Sequence, residues 1–179
     1  MRHRLVNTVG VVVWFTGLPC SGKTTLSDEI KKRMSERGVH AEQLDGDTCR
    51  SQKGARQGYN KEDRWKNIVD VVSQATMFSK KSPLTLVSLI APYRQMRAYA
   101  RKEAVRFVEI YLRCPLAVCE QRDVKGMYRM AREKKINHFT GVSDPYEEPT
   151  NPELIIDTDL LSLDLSAEKV MDYLKNLVQ

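Results

Sequence analysis

Val11-Val12-Val13-Trp14-Phe15-Thr16 runs without a break into Gly17-Leu18-Pro19-Cys20-Ser21-Gly22-Lys23-Thr24. The first six residues are β-branched or aromatic and nearly all apolar. Such a run suits a strand buried on both faces, as in a parallel sheet. The next eight fit G-x-x-x-x-G-K-[ST]. In that pattern glycine permits a tight loop whose backbone N–H groups reach phosphate oxygens. Lys23 supplies a point charge for the β- and γ-phosphates, and the Thr24 hydroxyl a ligand for Mg²⁺. From residue 23 to 37, Leu26, Ile30 and Met34 recur at helical spacing among charges. A buried strand, a glycine loop and an amphipathic helix form the context the motif requires. They assign Gly17, Leu18, Pro19, Cys20, Ser21, Gly22, Lys23, Thr24 and Thr25 to a nucleotide triphosphate. Cys20 reads as a small residue tolerated in the loop. The alternative is a thiol made acidic by the anion-binding loop.

Outward from this unit the same alternation continues. Strands are predicted at 39–44, 84–90, 107–112 and 154–156. Helices are predicted at 61–80, 93–106, 115–123 and after Ser166, read as a helix cap. Residues 49–60 are polar and read as a loop. Residues 124–146 are basic and lack apolar periodicity. Ile68, Val71, Val72, Ala75 and Phe78 form a helical stripe that belongs to the core. Five strands alternating with helices imply one α/β domain with a parallel sheet covered on both faces. Ligands in such folds sit at the carboxyl ends of the strands.

The chain has 179 residues, a length that suits one domain with its own core. The net charge of +6 favours anionic partners without choosing between nucleic acid and a small phosphorylated or sulfated compound. No apolar run approaches the roughly 20 residues of a membrane span. Arg2 and Arg4 before residues 9–15 have the faint outline of a signal peptide, but that run is better used as a strand. Cys20, Cys49, Cys114 and Cys119 form no C-x-x-C pair and no zinc spacing, so they read as reduced thiols of a cytoplasmic protein. His3, His40 and His138 show no paired arrangement, although His138 lies beside Phe139.

A phosphate loop alone leaves NTPase and kinase open, and no N-K-x-D base-reading motif of a GTPase is present. Leu44-Asp45-Gly46-Asp47 sets two carboxylates just after the second strand. There they can accept a hydroxyl proton or hold Mg²⁺, or simply form a turn. Several separated blocks share one pattern: residues 17–25, Leu44-Asp45-Gly46-Asp47 with Arg50, Gly58-Tyr59 with Asp63-Arg64 and Asn67, and Ile90-Ala91-Pro92-Tyr93-Arg94. It continues in Glu120-Gln121-Arg122-Asp123, Lys125-Gly126-Met127-Tyr128, and Phe139-Thr140-Gly141 with Pro145-Tyr146-Glu147 and Asn151-Pro152. Over about residues 10–157 the chain resembles the adenylylsulfate kinase (APS kinase) family of P-loop kinases.

The resemblance implies a three-layer P-loop fold with a five-stranded parallel sheet and a basic lid at about 124–146. It implies transfer of the γ-phosphoryl of ATP to the 3′-hydroxyl of adenosine 5′-phosphosulfate, with Mg²⁺. The catalytic residues would be Lys23, Asp47 and Asp45, with Thr24 and Asp45 holding the metal. Asp47, Arg50, Tyr59, Arg64, Asn67, Ile90, Ala91, Lys125 and Phe139 would bind the acceptor, Tyr59 and Phe139 by sandwiching its adenine. Arg129 and Arg132 would reach the donor from the lid. Partners would be small nucleotides, with neither membrane nor nucleic acid, and a homodimer is compatible.

The chain departs from the family pattern at Thr48, where Asn is usual, and at Ala91, where many members carry a serine. Lys53, Arg56 and Gln57 replace Gly and Leu residues, and Tyr59 replaces Phe. Most departures lie at the acceptor side, so a same-fold kinase acting on another nucleotide-linked hydroxyl is the alternative. A non-catalytic ATP- or nucleic-acid-binding module is the third reading.

Overall fold

The computed structural model describes residues 9–51 and 58–178, without the side chains of Asp47, Arg50 and Ser51. Its centre is β1 (Val11–Thr16), whose six residues are all buried. Alternate side chains point to opposite faces of a strand. Val11, Val13 and Phe15 accordingly enter one core, and Val12 and Trp14 the other. The remaining strands are β2 (Ala41–Asp45), β3 (Leu84–Ser88), β4 (Phe107–Arg113) and β5 (Leu154–Asp157). All pairings are parallel, in the order β2-β3-β1-β4-β5.

The helices are α1 (Lys23–Glu36), α2 (Gly46–Ser51), α3 (Lys61–Ser79), α4 (Arg94–Glu103), α5 (Leu116–Arg122), α6 (Met127–Arg132) and α7 (Leu163–Leu174). On one face of the sheet, Leu26, Ile30 and Met34 of α1 pack with Ala167, Val170 and Leu174 of α7. On the other, Ile68, Val71, Val72 and Ala75 of α3 pack with Met96 and Ala100 of α4. The result is the expected three-layer α/β architecture with a five-stranded parallel sheet.

Local boundaries differ from the sequence reading at a few places. Residues 46–51 form α2, which takes in the first three residues of the expected loop 49–60, because the Asp45 carboxylate accepts from the Thr48 amide at 3.3 Å and starts a turn. Helix α7 begins at Leu163, capped by Ser162, whose hydroxyl accepts from the Leu165 amide at 3.2 Å. Ser166, the expected cap, is buried inside that helix. Strand β3 stops at Ser88, and residues 89–92 continue as an irregular shelf.

Within the basic stretch 124–146, α6 is held by Asp123. Its two carboxylate oxygens accept from the amides of Tyr128 and Arg129 at 3.0 and 3.1 Å. Desolvation pulls the Asp123 pKa up, but the amides of Arg129, Tyr128 and Met127 outweigh it and hold it below the usual carboxylate range. A group with a depressed folded pKa stabilises above its unfolded value and loses that contribution as pH falls through the folded one.

Two consequences are measurable. Ile110 is fully buried at the middle of β4. Ile110→Ala should cost about 2–5 kcal/mol in urea unfolding, through lost burial and the cavity left behind. Asp123→Asn should speed hydrogen exchange at the Tyr128 and Arg129 amides. Acidification of the unsubstituted protein through the carboxylate's folded pKa should lower the protection of the same two amides relative to their intrinsic exchange rates at each pH, and unchanged protection in either case would remove Asp123 as the helix anchor.

Candidate active site

The loop between β1 and α1 is made by backbone constraint. Gly17 has φ +151°, and a Cβ there would lie 2.6 Å from the Leu112 carbonyl oxygen of β4. Cys20 and Gly22 both have positive φ, at +61° and +95°. Alternating backbone handedness of this kind turns successive N–H groups toward one point and favours an anion there. Helix α1 starts from Gly22 with no side-chain cap and no acid in its first turn. By contrast α3 has both, since Asn60 caps it and Glu62 and Asp63 follow. The positive end of α1 is therefore left for an external anion.

Lys23 folds back over this loop, its ammonium donating to the carbonyls of Leu18 at 2.6 Å and Gly17 at 3.0 Å. The Thr24 hydroxyl donates to Asp45 Oδ2 at 2.7 Å. Asp45 is the last residue of β2, so parallel pairing with β3, the neighbour of β1, brings it beside the start of α1. Residues 21 apart in sequence thus present a hydroxyl and a carboxylate side by side. The loop is also braced from the far edge of the sheet. Thr158, just after β5, donates through its hydroxyl to the Ser21 carbonyl at 2.9 Å, and Arg122 donates to the Thr158 carbonyl at 2.6 Å.

A cavity of about 1250 Å³ opens over the loop. One end is lined by residues 19–25, Asp45, Arg122 and Thr158. Tyr59, Arg64, Asn67, Ile90, Ala91 and Phe139 line the other. Phe139 is buried and meets Tyr128 edge-on, with centroids 4.9 Å apart. Tyr128 in turn donates its hydroxyl to the Pro19 carbonyl at 3.0 Å, which ties α6 to the phosphate loop. Arg64 donates to the carbonyls of Tyr59 at 2.7 Å and His138 at 2.6 Å. One guanidinium therefore joins the two segments that carry the aromatic residues Tyr59 and Phe139. Asn67 is 1% exposed, and neither polar atom of its amide has a hydrogen-bond partner among the described residues. A buried amide of that kind costs free energy unless a ligand or water completes it.

Most of the expected site residues thus share one cavity, Thr48 and Lys125 among its lining. Gly17 and Leu18, at the start of the loop, are not among the lining residues and accept from Lys23 through their carbonyls. Arg129 and Arg132, expected at the donor, are not among the lining residues. Arg132 is drawn away by an ion pair with Glu120. Arg122 stands at the donor end in their place. It sits in the quoted block Glu120-Gln121-Arg122-Asp123, but nothing in the sequence places it beside Thr158. The side chains of Asp47 and Arg50, and residues Lys53, Arg56 and Gln57, lie outside the described residues. His138 is turned to Asp144, with Nδ1 3.3 Å from its carboxylate, and contributes its carbonyl to the site. Cys20 is half-buried in the loop. Cys119, on α5, has its thiol pKa pushed up to about 12 by burial and by a hydrogen bond with Cys114.

Comparison with known proteins agrees with this geometry. Residues 9–157 match the family described as adenylylsulphate kinase. The chain is 45% identical to the adenylyl-sulfate kinase of Halothermothrix orenii over 169 residues, covering 94% of this chain and 91% of that one. It is 45% identical over 177 residues to the adenylyl-sulfate kinase of a Picosynechococcus species, covering 99% and 97%. The structure of the Mycobacterium tuberculosis APS kinase CysC in complex with AMPPNP and APS superposes with a TM-score of 0.88 at 39% identity, covering 93% of this chain and 98% of that one. A phosphate loop facing an acidic strand end, together with a match over nearly the whole length, shows that the protein belongs to the adenylylsulphate kinase family.

Proposed function

We propose that this chain transfers the γ-phosphoryl group of ATP to the 3′-hydroxyl of adenosine 5′-phosphosulfate, giving ADP and 3′-phosphoadenosine 5′-phosphosulfate. The observation that carries the reading is the shared cavity. It joins Lys23, Thr24 and Asp45 at one end to Arg64, Asn67 and Phe139 at the other. A donor and an acceptor nucleotide can therefore meet in one chamber, and family membership supplies their identity.

Phosphoryl transfer needs positioning and charge neutralisation more than covalent help. The 3′-oxygen bonds to the γ-phosphorus while the bond from that phosphorus to the bridging oxygen of ADP breaks. Asp47 takes the hydroxyl proton, a role that rests on the match at Leu44-Asp45-Gly46-Asp47. Lys23 and the uncapped start of α1 receive the negative charge of the donor phosphates. With alanine at position 91, the route is direct transfer without a phosphorylated residue on that shelf. Arg122 replaces Arg129 and Arg132 as the donor-side arginine.

The Thr24 hydroxyl and Asp45 carboxylate fit Mg²⁺ because both are hard oxygen donors and touch one another. Such an ion keeps waters and substrate oxygens in the rest of its shell. When bound, Mg²⁺ would neutralise phosphate charge during transfer.

At the acceptor end Tyr59 and Phe139 stack on the adenine, and the buried Asn67 amide, unpartnered among the described residues, offers it a donor and an acceptor. Arg64 holds the carbonyls of Tyr59 and of His138, the residue before Phe139, and with Arg50 and Lys125 it meets the phosphosulfate. Residues 124–146 form the lid, closing over the phosphates to exclude water. Cys20, Cys49, Cys114 and Cys119 form no disulfide among the described residues, which suits a cytoplasmic location.

An assay that follows ADP and 3′-phosphorylated product from ATP with adenosine 5′-phosphosulfate tests the whole reading. Brisk turnover is expected, and turnover only with a different nucleotide acceptor would overturn it. Lys23→Ala should abolish the rate. Thr24→Val should raise the Mg²⁺ requirement about tenfold or more, by loss of one metal contact. Asp47→Asn should lower kcat by about 10²–10⁴-fold, the usual range for general-base loss, while ATP still binds. An unchanged kcat would remove Asp47 from the mechanism.

A further inference from the structure

Arg97, in α4, is 3% exposed and had no role in the sequence reading. Its three guanidinium nitrogens reach three different segments. Nη1 donates to the Ala91 carbonyl at 2.5 Å. Nη2 donates to the carbonyl of Glu147. Nε lies 2.8 Å from Oε1 of the buried Glu109 on β4. The ring of Tyr146 lies against the guanidinium, 5.6 Å from centroid to carbon.

Ala91 is the residue that most needs such a hold. Its φ is +43°, in the left-handed region that side chains with a Cβ rarely occupy. It lies on the shelf of residues 89–92 that follows β3, and Leu89, Ile90, Ala91 and Pro92 all line the cavity. The shelf is closed from its other side as well. Thr16, the residue before the phosphate loop, donates its hydroxyl to the Ile90 carbonyl at 2.6 Å and lies 2.9 Å from the Tyr146 hydroxyl. The Glu147 amide donates to the Pro92 carbonyl at 2.8 Å. These bonds converge on residues 146–147, and Arg97 joins that strap to Ala91.

A buried ion pair alone is weak grounds for a stabilising role, since hydrophobic residues of similar volume often serve as well. A planar fork that spans two carbonyls and a carboxylate is better suited to fixing geometry. We propose that Arg97 is the positioning residue of the acceptor shelf. It holds Ala91 in its left-handed conformation and so sets where adenosine 5′-phosphosulfate rests, a role that depends on the activity inferred above.

The test compares E109Q, the double variant R97M/E109Q, and R97K with the unsubstituted protein. E109Q keeps both carbonyl bonds of Arg97. The double variant removes the arginine without leaving a buried carboxylate unpaired, so that folding is preserved. Calorimetry would measure the affinity for adenosine 5′-phosphosulfate and, separately, for a non-hydrolysable ATP analogue. Thermal unfolding and initial rates complete the set.

Relative to E109Q, the double variant should bind adenosine 5′-phosphosulfate about tenfold more weakly or worse, as expected for a small misplacement of a reacting group. Affinity for the ATP analogue should stay within about twofold, the mark of a loss confined to the acceptor. R97K, able to keep one carbonyl bond, should recover part of the loss. Equal acceptor affinity in E109Q and R97M/E109Q would overturn the proposal, as would a parallel fall for both nucleotides. Turnover by the unsubstituted protein is read separately. Its absence would remove the proposed activity, and with it this role, whereas an active protein with unmoved acceptor affinity in the double variant would remove only the role of Arg97.

Discussion

A strand buried on both faces has no freedom to shift register, because a one-residue slip would exchange its two sets of side chains between different cores. In β1, Val11, Val13 and Phe15 belong to one core, and Val12 and Trp14 to the other. The strand therefore delivers Thr16 and Gly17 to a fixed point at the carboxyl edge of the sheet. Gly17 can then lie against the Leu112 carbonyl only because it lacks a Cβ. The phosphate loop, the direction of α1 and the position of Thr24 all follow from that placement.

Two electrostatic choices turn this point into a nucleotide site. The first is an omission, since α1 begins without a capping side chain or an early acid, unlike α3. Its first N–H groups and the loop amides remain directed at whatever anion enters. The second is the carboxylate of Asp45, kept in contact with the Thr24 hydroxyl by the parallel pairing of β2 with β3. Phosphate charge and cation charge are thereby provided for by different elements of one sheet edge. The acceptor end is built differently, from side chains that hold backbone: Arg64 ties Tyr59 to His138, and Arg97 ties Ala91 to Glu147.

The division between legible and illegible features follows from range. The five strands and the helices that pack on them were readable because burial imposes a period on local sequence. Boundaries were less so at α2 and α7, where one side chain, Asp45 or Ser162, started a turn that composition did not announce. At the site, Lys23, Thr24 and Asp45 could be named in advance because each stands at a motif position or a strand end. Arg129 and Arg132 do not line the cavity, and a basic run does not say which arginine meets an acid. Glu120, a dozen residues before Arg132, claims that one.

From its amino-acid order alone, this chain prescribes a doubly covered parallel sheet, a phosphate loop after the first strand and, by its spaced motif blocks, the family to which it belongs. These rest on contacts between near neighbours and on periodic burial, which a linear string records. Tertiary structure alone decided that Arg122 rather than Arg129 or Arg132 stands by the loop, that Asn67 is buried without a partner among the described residues, and that Arg97 holds the shelf through Ala91 and Glu147. Those groups are joined by hydrogen bonds across distant segments. Which donor finds which carbonyl is set only when the sheet and its helices close.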